Sequence, residues 1–151
     1  MKYQNVLYAI IICTMISLSP INLCSIFAQE MTTIEKYIDE NDFQRNPDTF
    51  DHVSYRCFAL FYLVGSYFLE NNPDMKETAN KLINLSNIFL NYQSKRKNFN
   101  LEYAKSQTQI MIEEYSKRLK KSKALTGNFF DDPVVNSDLS ICSKLALKSQ
   151  H

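Results

Sequence analysis

Hydrophobic residues recur at steps of three and four through most of the chain, the spacing of an amphipathic α-helix. The densest stretch runs over fifteen residues from Tyr55 to Leu69, where apolar side chains cover nearly the whole circumference of a helix. Such a helix is typical of the centre of a bundle, where neighbours cover every side. The run is shorter than the roughly 20 residues that cross a bilayer. We therefore predict a buried central helix.

Capping residues and breakers divide the rest of the chain around this helix. Thr32 and Glu35 form a capping box, prolines Pro47 and Pro73 suit the first turns of two helices, and Gly127 suits a C-terminal cap. A last helix is expected after a cap at Ser137, with 128–133 as a loop. The predicted helices span about 33–40, 47–70, 73–93, 101–126 and 138–148. With only two glycines in 151 residues, the chain is poor in the residue that sheet turns use most. We predict an all-α fold, a small bundle of four main helices plus a short N-terminal helix.

The first 28 residues read as a signal peptide. Lys2 precedes the apolar run 6–18, and Ala28 offers a small residue before the cut, with cleavage after Ser25 as the alternative. Lipidation of Cys24 is disfavoured because Leu23 replaces the small residue that such a site needs. An uncleaved anchor is disfavoured because the run is short. We expect export, to the periplasm or the medium, of a single helical domain spanning 29–151 with no membrane span.

Removal of this segment leaves two cysteines, Cys57 and Cys142. In an oxidising compartment a single pair favours a disulfide, which would join the central helix to the last one. Two separate buried thiols are the alternative. Neither cysteine lies in a CxxC motif or beside a histidine, so redox catalysis and metal binding receive no support.

Charge is balanced overall but unevenly distributed. Residues 29–90 carry ten acids and five bases, and residues 91–151 carry six acids and eleven bases. A net charge of zero over 29–151 does not indicate nucleic-acid binding. The basic clusters could together form a patch for anionic groups, or they could be solvated helix ends. The residues of this candidate patch are Lys95, Arg96, Lys97, Lys117, Arg118, Lys120 and Lys121.

Catalytic and cofactor motifs are missing from the sequence. It contains no HExxH, CxxCH or GxSxG motif, and two glycines cannot build a phosphate-binding loop. We expect no metal and no cofactor. His52 is the one credible general base, four residues before Arg56 and four after Asp48, a spacing that predicts a polar ladder on one helix face. An enzyme centred on His52 and Arg56 is the weakest of three functional hypotheses.

The leading hypothesis depends on aromatic residues on the side of the central helix that faces away from its main apolar stripe. If neighbouring helices leave this side open, Tyr55, Arg56 and Tyr62, with His52 nearby, would contact a protein or an envelope component. Burial of both sides is the alternative arrangement. The second hypothesis is a carrier of a small apolar ligand held between helices. Its cavity would be lined by Phe58, Phe61, Met111 and Tyr115.

Overall fold

The computed structural model describes residues 31–43, 45–96 and 99–148, so the predicted signal peptide lies outside the described residues. This part of the chain forms helices and no strand, which confirms the predicted all-α bundle. The helices are α1 (Ile34–Glu40), α2 (Pro47–Asn71), α3 (Lys76–Ser94), α4 (Leu101–Thr126) and α5 (Pro133–Lys148), with a single 3₁₀ turn, Pro73–Met75, before α3. None of the described helices is both long and apolar enough to span a membrane.

Helix ends follow the capping residues of the sequence at most positions. The side chain of Asn46 accepts a hydrogen bond from the N–H of Asp48 at the start of α2. Gly127 ends α4 with a φ of 80°, a left-handed conformation that glycine adopts without strain. Both ends lie where the sequence placed them, because caps are local signals.

The start of α5 differs from the prediction. The helix begins at Pro133 rather than after Ser137. The side chain of Asp132 accepts hydrogen bonds from the N–H groups of Val134 and Val135, at 2.9 and 3.0 Å. An acid before a proline is the same start signal as Asn46 before Pro47, and the helix begins at this signal rather than at Ser137. The additional turn brings Val135 into the core.

Helix α2 lies at the centre, and its two sides enter two hydrophobic clusters. Tyr55, Leu60 and Val64 pack in the first, mainly with α4, and Val53 and Phe61 pack in the second, mainly with α1, α3 and α5. Both sides of the central helix are therefore largely covered, as the second of the two arrangements predicted.

Gly65 explains the close approach of α2 and α3. A Cβ at this position would lie 2.8 Å from Cγ1 of Ile83 and 2.9 Å from the carbonyl oxygen of Ala79. Near the other end of the pair, the side chain of Gln93 donates to the carbonyl of Asp51. The numbering thus runs in opposite directions along the two helices, which form an antiparallel hairpin.

The loop after α4 folds back onto the bundle, as predicted. The ring of Phe129 lies 4.5 Å from that of Tyr67, and the ring of Phe130 lies 5.5 Å from that of Phe68. The ammonium of Lys123 lies 4.5 Å from the centre of the Phe129 ring, a cation–π contact. These contacts place the start of α5 against the end of α2.

Candidate functional site

A buried polar centre joins four of the five helices. It consists of Arg56 on α2, Tyr115 on α4 and Asp138 on α5, together with the backbone at the start of α1. Asp138 accepts hydrogen bonds from the guanidinium of Arg56 at 2.5 Å, from the hydroxyl of Tyr115 and from the N–H of Ile34 at 2.6 Å. The N–H of Ile34 belongs to the first turn of α1 and has no partner within its own helix.

Arg56 completes the centre with two further hydrogen bonds. Its Nε donates to the Tyr115 hydroxyl at 3.2 Å, and its Nη2 donates to the carbonyl of Thr32 at 2.6 Å. Burial by itself lowers the pKa of Arg56, but the Tyr115 and Asp138 oxygens outweigh it and hold that pKa above its ordinary value. Burial raises the pKa of Tyr115 well above its ordinary value, so its hydroxyl stays protonated and donates. Among the described residues, no buried side-chain nitrogen or oxygen lacks a partner.

This centre is closed to substrates. Arg56 is 1% exposed, and Tyr115 and Asp138 are 0% exposed. A group that reacts with or binds a soluble molecule needs contact with it, and the polar atoms of these three side chains bond to one another and to the backbone. Their chemistry is therefore structural: the centre fixes α1, α4 and α5 on α2.

The predicted cysteine pair lies beside the polar centre. The Cys57 and Cys142 sulfurs are 2.03 Å apart and both side chains are fully buried, which confirms the pairing. Cys57 follows Arg56 in the chain, and Cys142 lies one helical turn after Asp138. The disulfide and the ion pair thus link the same two helices at the same level.

Two of the predicted binding residues occupy positions that a partner cannot reach. Arg56 points into the polar centre instead of forming a surface ladder with Asp48 and His52. Tyr55 is 6% exposed, because the ring of Tyr103 on α4 covers it with 6.4 Å between ring centres. Of the predicted contact residues on this side of α2, Tyr62 remains open, at 43% exposure.

His52 is half-buried and stacks on Tyr37 of α1, with 4.3 Å between ring centres. Burial, and then the charge of Arg56, lower its pKa from 6.5 to about 4. A histidine with this pKa is neutral at pH 7 and accepts a proton weakly, so the geometry gives little support to a general base here. The described residues contain no group of three histidine, cysteine, aspartate or glutamate side chains placed to hold a metal.

The buried histidine makes stability depend on pH. Between pH 6.5 and about 4, the unfolded chain binds a proton at His52 that the folded protein does not, so the stability falls as the pH falls through this range. Between pH 7 and pH 4.5 we expect a loss of about 2 kcal/mol in the free energy of unfolding from this group. Urea unfolding at both pH values should show a smaller loss in His52→Gln. An equal loss in both proteins would contradict this assignment.

The two basic clusters do not form one patch. Arg96 pairs with Asp51 near the start of α2. Residues 117–121 lie near the end of α4, up to roughly 30 Å from the start of that helix at Leu101. Arg118 turns inward, donating to the carbonyl of Met31 at 2.7 Å and pairing with Asp132 at 3.4 Å. Lys97 lies outside the described residues. The exposed cations of the patch are Lys95, Lys117, Lys120 and Lys121, of which Lys117 pairs with Glu114 at 2.7 Å.

One side of α2 and α4 exposes large apolar residues, and we call it the tyrosine surface: Tyr62, Leu69, Tyr103 and Ile110. Tyr62 lies two turns after Tyr55 on α2, and Tyr103 contacts Tyr55, so the two exposed rings share one side of the bundle. Tyr62 also stacks on Phe58, with 6.0 Å between ring centres. Ile110 lies two turns after Tyr103 on α4.

Cations continue the α4 part of this surface. Lys121 follows Tyr103 by eighteen residues, which is five full helical turns and returns to the same face about 27 Å further along. Lys117, one turn earlier, lies on that face too. The outer face of α4 thus changes from apolar at its start to basic at its end.

The cavity predicted for a carrier does not come together. Phe58 and Phe61 pack in the second hydrophobic cluster, whereas Met111 and Tyr115 pack in the first. The hydroxyl of Tyr115, in addition, donates a hydrogen bond to Asp138. The four side chains therefore do not line one common space.

A second apolar surface was missed from the sequence. Tyr92, expected on the buried face of α3, is 53% exposed and packs against Phe50, with 4.9 Å between ring centres. Phe50 in turn lies 5.5 Å from Phe43. Leu85 and Ile88 continue the same side of α3 and line a shallow depression with Lys81 and Asn84. We call Phe43, Phe50, Leu85, Ile88 and Tyr92 the apolar strip.

The signal for this strip was present in the sequence. Leu85 and Ile88 flank the main stripe of α3, and that widening exceeds what one neighbouring helix covers.

Compared with known proteins, the chain matches no family model, no curated protein and no solved structure.

Proposed function

We propose that this protein is an exported, non-enzymatic binding protein that recognises a protein or envelope component through the tyrosine surface and the adjoining cations of α4. The observation that carries the proposal is the exposure of Tyr62 and Tyr103, at 43% and 58%, on a side where Tyr103 rests on buried Tyr55 and Tyr62 stacks on partly buried Phe58. Supported aromatic rings lose little conformational entropy on binding and are enriched among the residues that dominate interfaces. The partner is expected to carry acidic groups opposite Lys117 and Lys121.

Export is supported by two features that point the same way. The sequence pattern of 1–28 is that of a signal peptide, and the Cys57–Cys142 disulfide is the kind of bond that oxidising compartments maintain. The intact mass of the purified protein tests this part directly, since cleavage after Ala28 or Ser25 gives different masses and an uncleaved chain has its full 17.6 kDa.

Photocrosslinking at position 62 tests the binding surface. A benzophenone amino acid at Tyr62 should give an adduct with a partner in cells, identified by mass spectrometry, whereas the same group at exposed Lys144 on α5 should not. Equal adducts at both positions, or none at position 62, would remove the tyrosine surface from consideration.

With the partner identified, Tyr62→Ala should weaken its binding by roughly tenfold or more, the effect of removing an aromatic contact at an interface centre. Leu147→Ala, which removes a 63% exposed apolar side chain from α5, is the matched control and should leave the affinity unchanged. Lys121→Glu should weaken binding most at low salt. Titration calorimetry of the purified pair measures all three.

The carrier of a small apolar ligand is the second candidate function, and the apolar depression beside Leu85 and Ile88 is the feature that favours it. This depression is shallow and open, whereas ligand sites bury most of the ligand surface. A binding protein is the function that the exposed rings support better.

A further inference from the structure

We propose that the apolar strip is a homodimer interface, at which α3 packs against α3 of a second copy of this chain. The inference concerns a different surface from the proposed function and does not depend on it. Its residues come from the α1–α2 connection, α2 and α3, and aromatic contacts join them from Phe43 through Phe50 to Tyr92.

Helix α3 lacks charge along the strip. From Leu82 to Ser94 the chain has thirteen residues without Asp, Glu, Lys, Arg or His, whereas the 26 residues of α4 contain nine charged ones. Depletion of charge together with enrichment in aromatic residues is the composition of a buried interface centre. A helix with an exposed face gains nothing in solubility from lacking charge along most of its length.

This lack of charge favours a second copy of the chain as the occupant. In a two-fold symmetric interface the same patch meets itself, so a charged residue near the axis would oppose its own copy and the pair would repel. With the axis at Ile88, the midpoint of the uncharged segment, every residue of that segment faces another residue of the same segment. No charge within the strip therefore meets its own copy. The nearest cations that would face each other, Lys81 and Lys95, lie at the rim, roughly 10 Å along the helix on either side of the axis.

The exposed positions around the strip also suit an identical partner. Asn84, Asn87 and Asn91 are exposed on α3. A carboxamide carries both donors and acceptors, so an asparagine can pair with an asparagine of an identical chain, which a carboxylate or an ammonium cannot do. Leu85, Ile88 and Tyr92 follow at steps of three and four, the spacing with which helices interdigitate.

Sedimentation velocity of the protein as purified after export tests the dimer from about 1 to 100 µM, a range that brackets a Kd of about 10 µM. The wild type should sediment as a dimer at the upper end, with no loss of dimer at high salt because no ion pair holds it. Tyr92→Lys should raise the dissociation constant by roughly tenfold or more, since it puts a cation into the interface.

Tyr103→Lys is the matched control. It makes the same change at a 58% exposed tyrosine on α4 that also rests on one aromatic ring of α2, and it should remain dimeric. Asn84→Lys adds a charge at an exposed position and serves if Tyr92→Lys fails to fold. A wild type that is monomeric throughout the range, or dissociation in Tyr103→Lys equal to that in Tyr92→Lys, would overturn the proposal.

Discussion

Replacing Asp138 with alanine is expected to lower the free energy of unfolding by about 3–5 kcal/mol, the cost of leaving a buried charge without its partner. Arg56 is 1% exposed and would keep its charge, since arginine is not deprotonated in proteins. The N–H of Ile34 and the hydroxyl of Tyr115 would lose their acceptor in the same step. A loss of this size is a large fraction of the stability of a small domain.

Urea unfolding followed by circular dichroism measures this effect, and a double variant separates charge from packing. Arg56→Met combined with Asp138→Leu removes both charges and keeps apolar volume, so it should recover the part of the loss that comes from the unpaired charge. The part that comes from the unpaired Ile34 N–H and Tyr115 hydroxyl should remain. Glu77→Ala breaks the exposed ion pair with Lys81 and should leave the midpoint unchanged. A small effect of Asp138→Ala would mean that water reaches Arg56, in conflict with the enclosure of the polar centre.

Local signals in the sequence were sufficient for the helices and for the disulfide. Caps, prolines and apolar spacing act within a few residues, so four of the five helix starts were predicted to within three residues. The cysteine pair needed no geometry, because removal of the predicted signal peptide left two candidates. The helices are therefore determined mainly by residues that lie close together in the sequence.

The polar centre could not be read in this way. Arg56 has an acid and a histidine at helical spacing, and this local pattern suggested a surface ladder. Its real partners, Tyr115 and Asp138, lie 59 and 82 residues away, and only the packing of α4 and α5 on α2 brings them together. The predicted burial of Tyr92 was wrong for a related reason. Periodicity gives the apolar side of a helix but not how much of that side a neighbour covers.

Removing the disulfide is expected to cost about 3–5 kcal/mol in the free energy of unfolding. The bond closes a ring between Cys57 and Cys142, which are 85 residues apart, and the chain-entropy model gives about 4.5 kcal/mol for a loop of this length. Reduction leaves both thiols in place and lets the unfolded chain expand, so the stabilisation is lost without a cavity. The denaturant slope should also rise, because a chain without the cross-link exposes more surface on unfolding.

Three urea titrations separate the cross-link from the packing of the sulfurs: the oxidised protein, the protein unfolded and refolded under reducing conditions, and the variant with both Cys57→Ala and Cys142→Ala. The reduced protein should lose the entropic part alone, and the double variant should lose somewhat more because both side chains are fully buried. Equal midpoints for the oxidised and reduced proteins would contradict the expected loss, because the cross-link would then not be restricting the unfolded chain. A reduced protein that unfolds at lower urea, while Asp138→Ala in the oxidised state still folds, would show that the disulfide contributes to the stability and that the ion pair is not required for folding. Reduced Asp138→Ala then shows whether the two losses add.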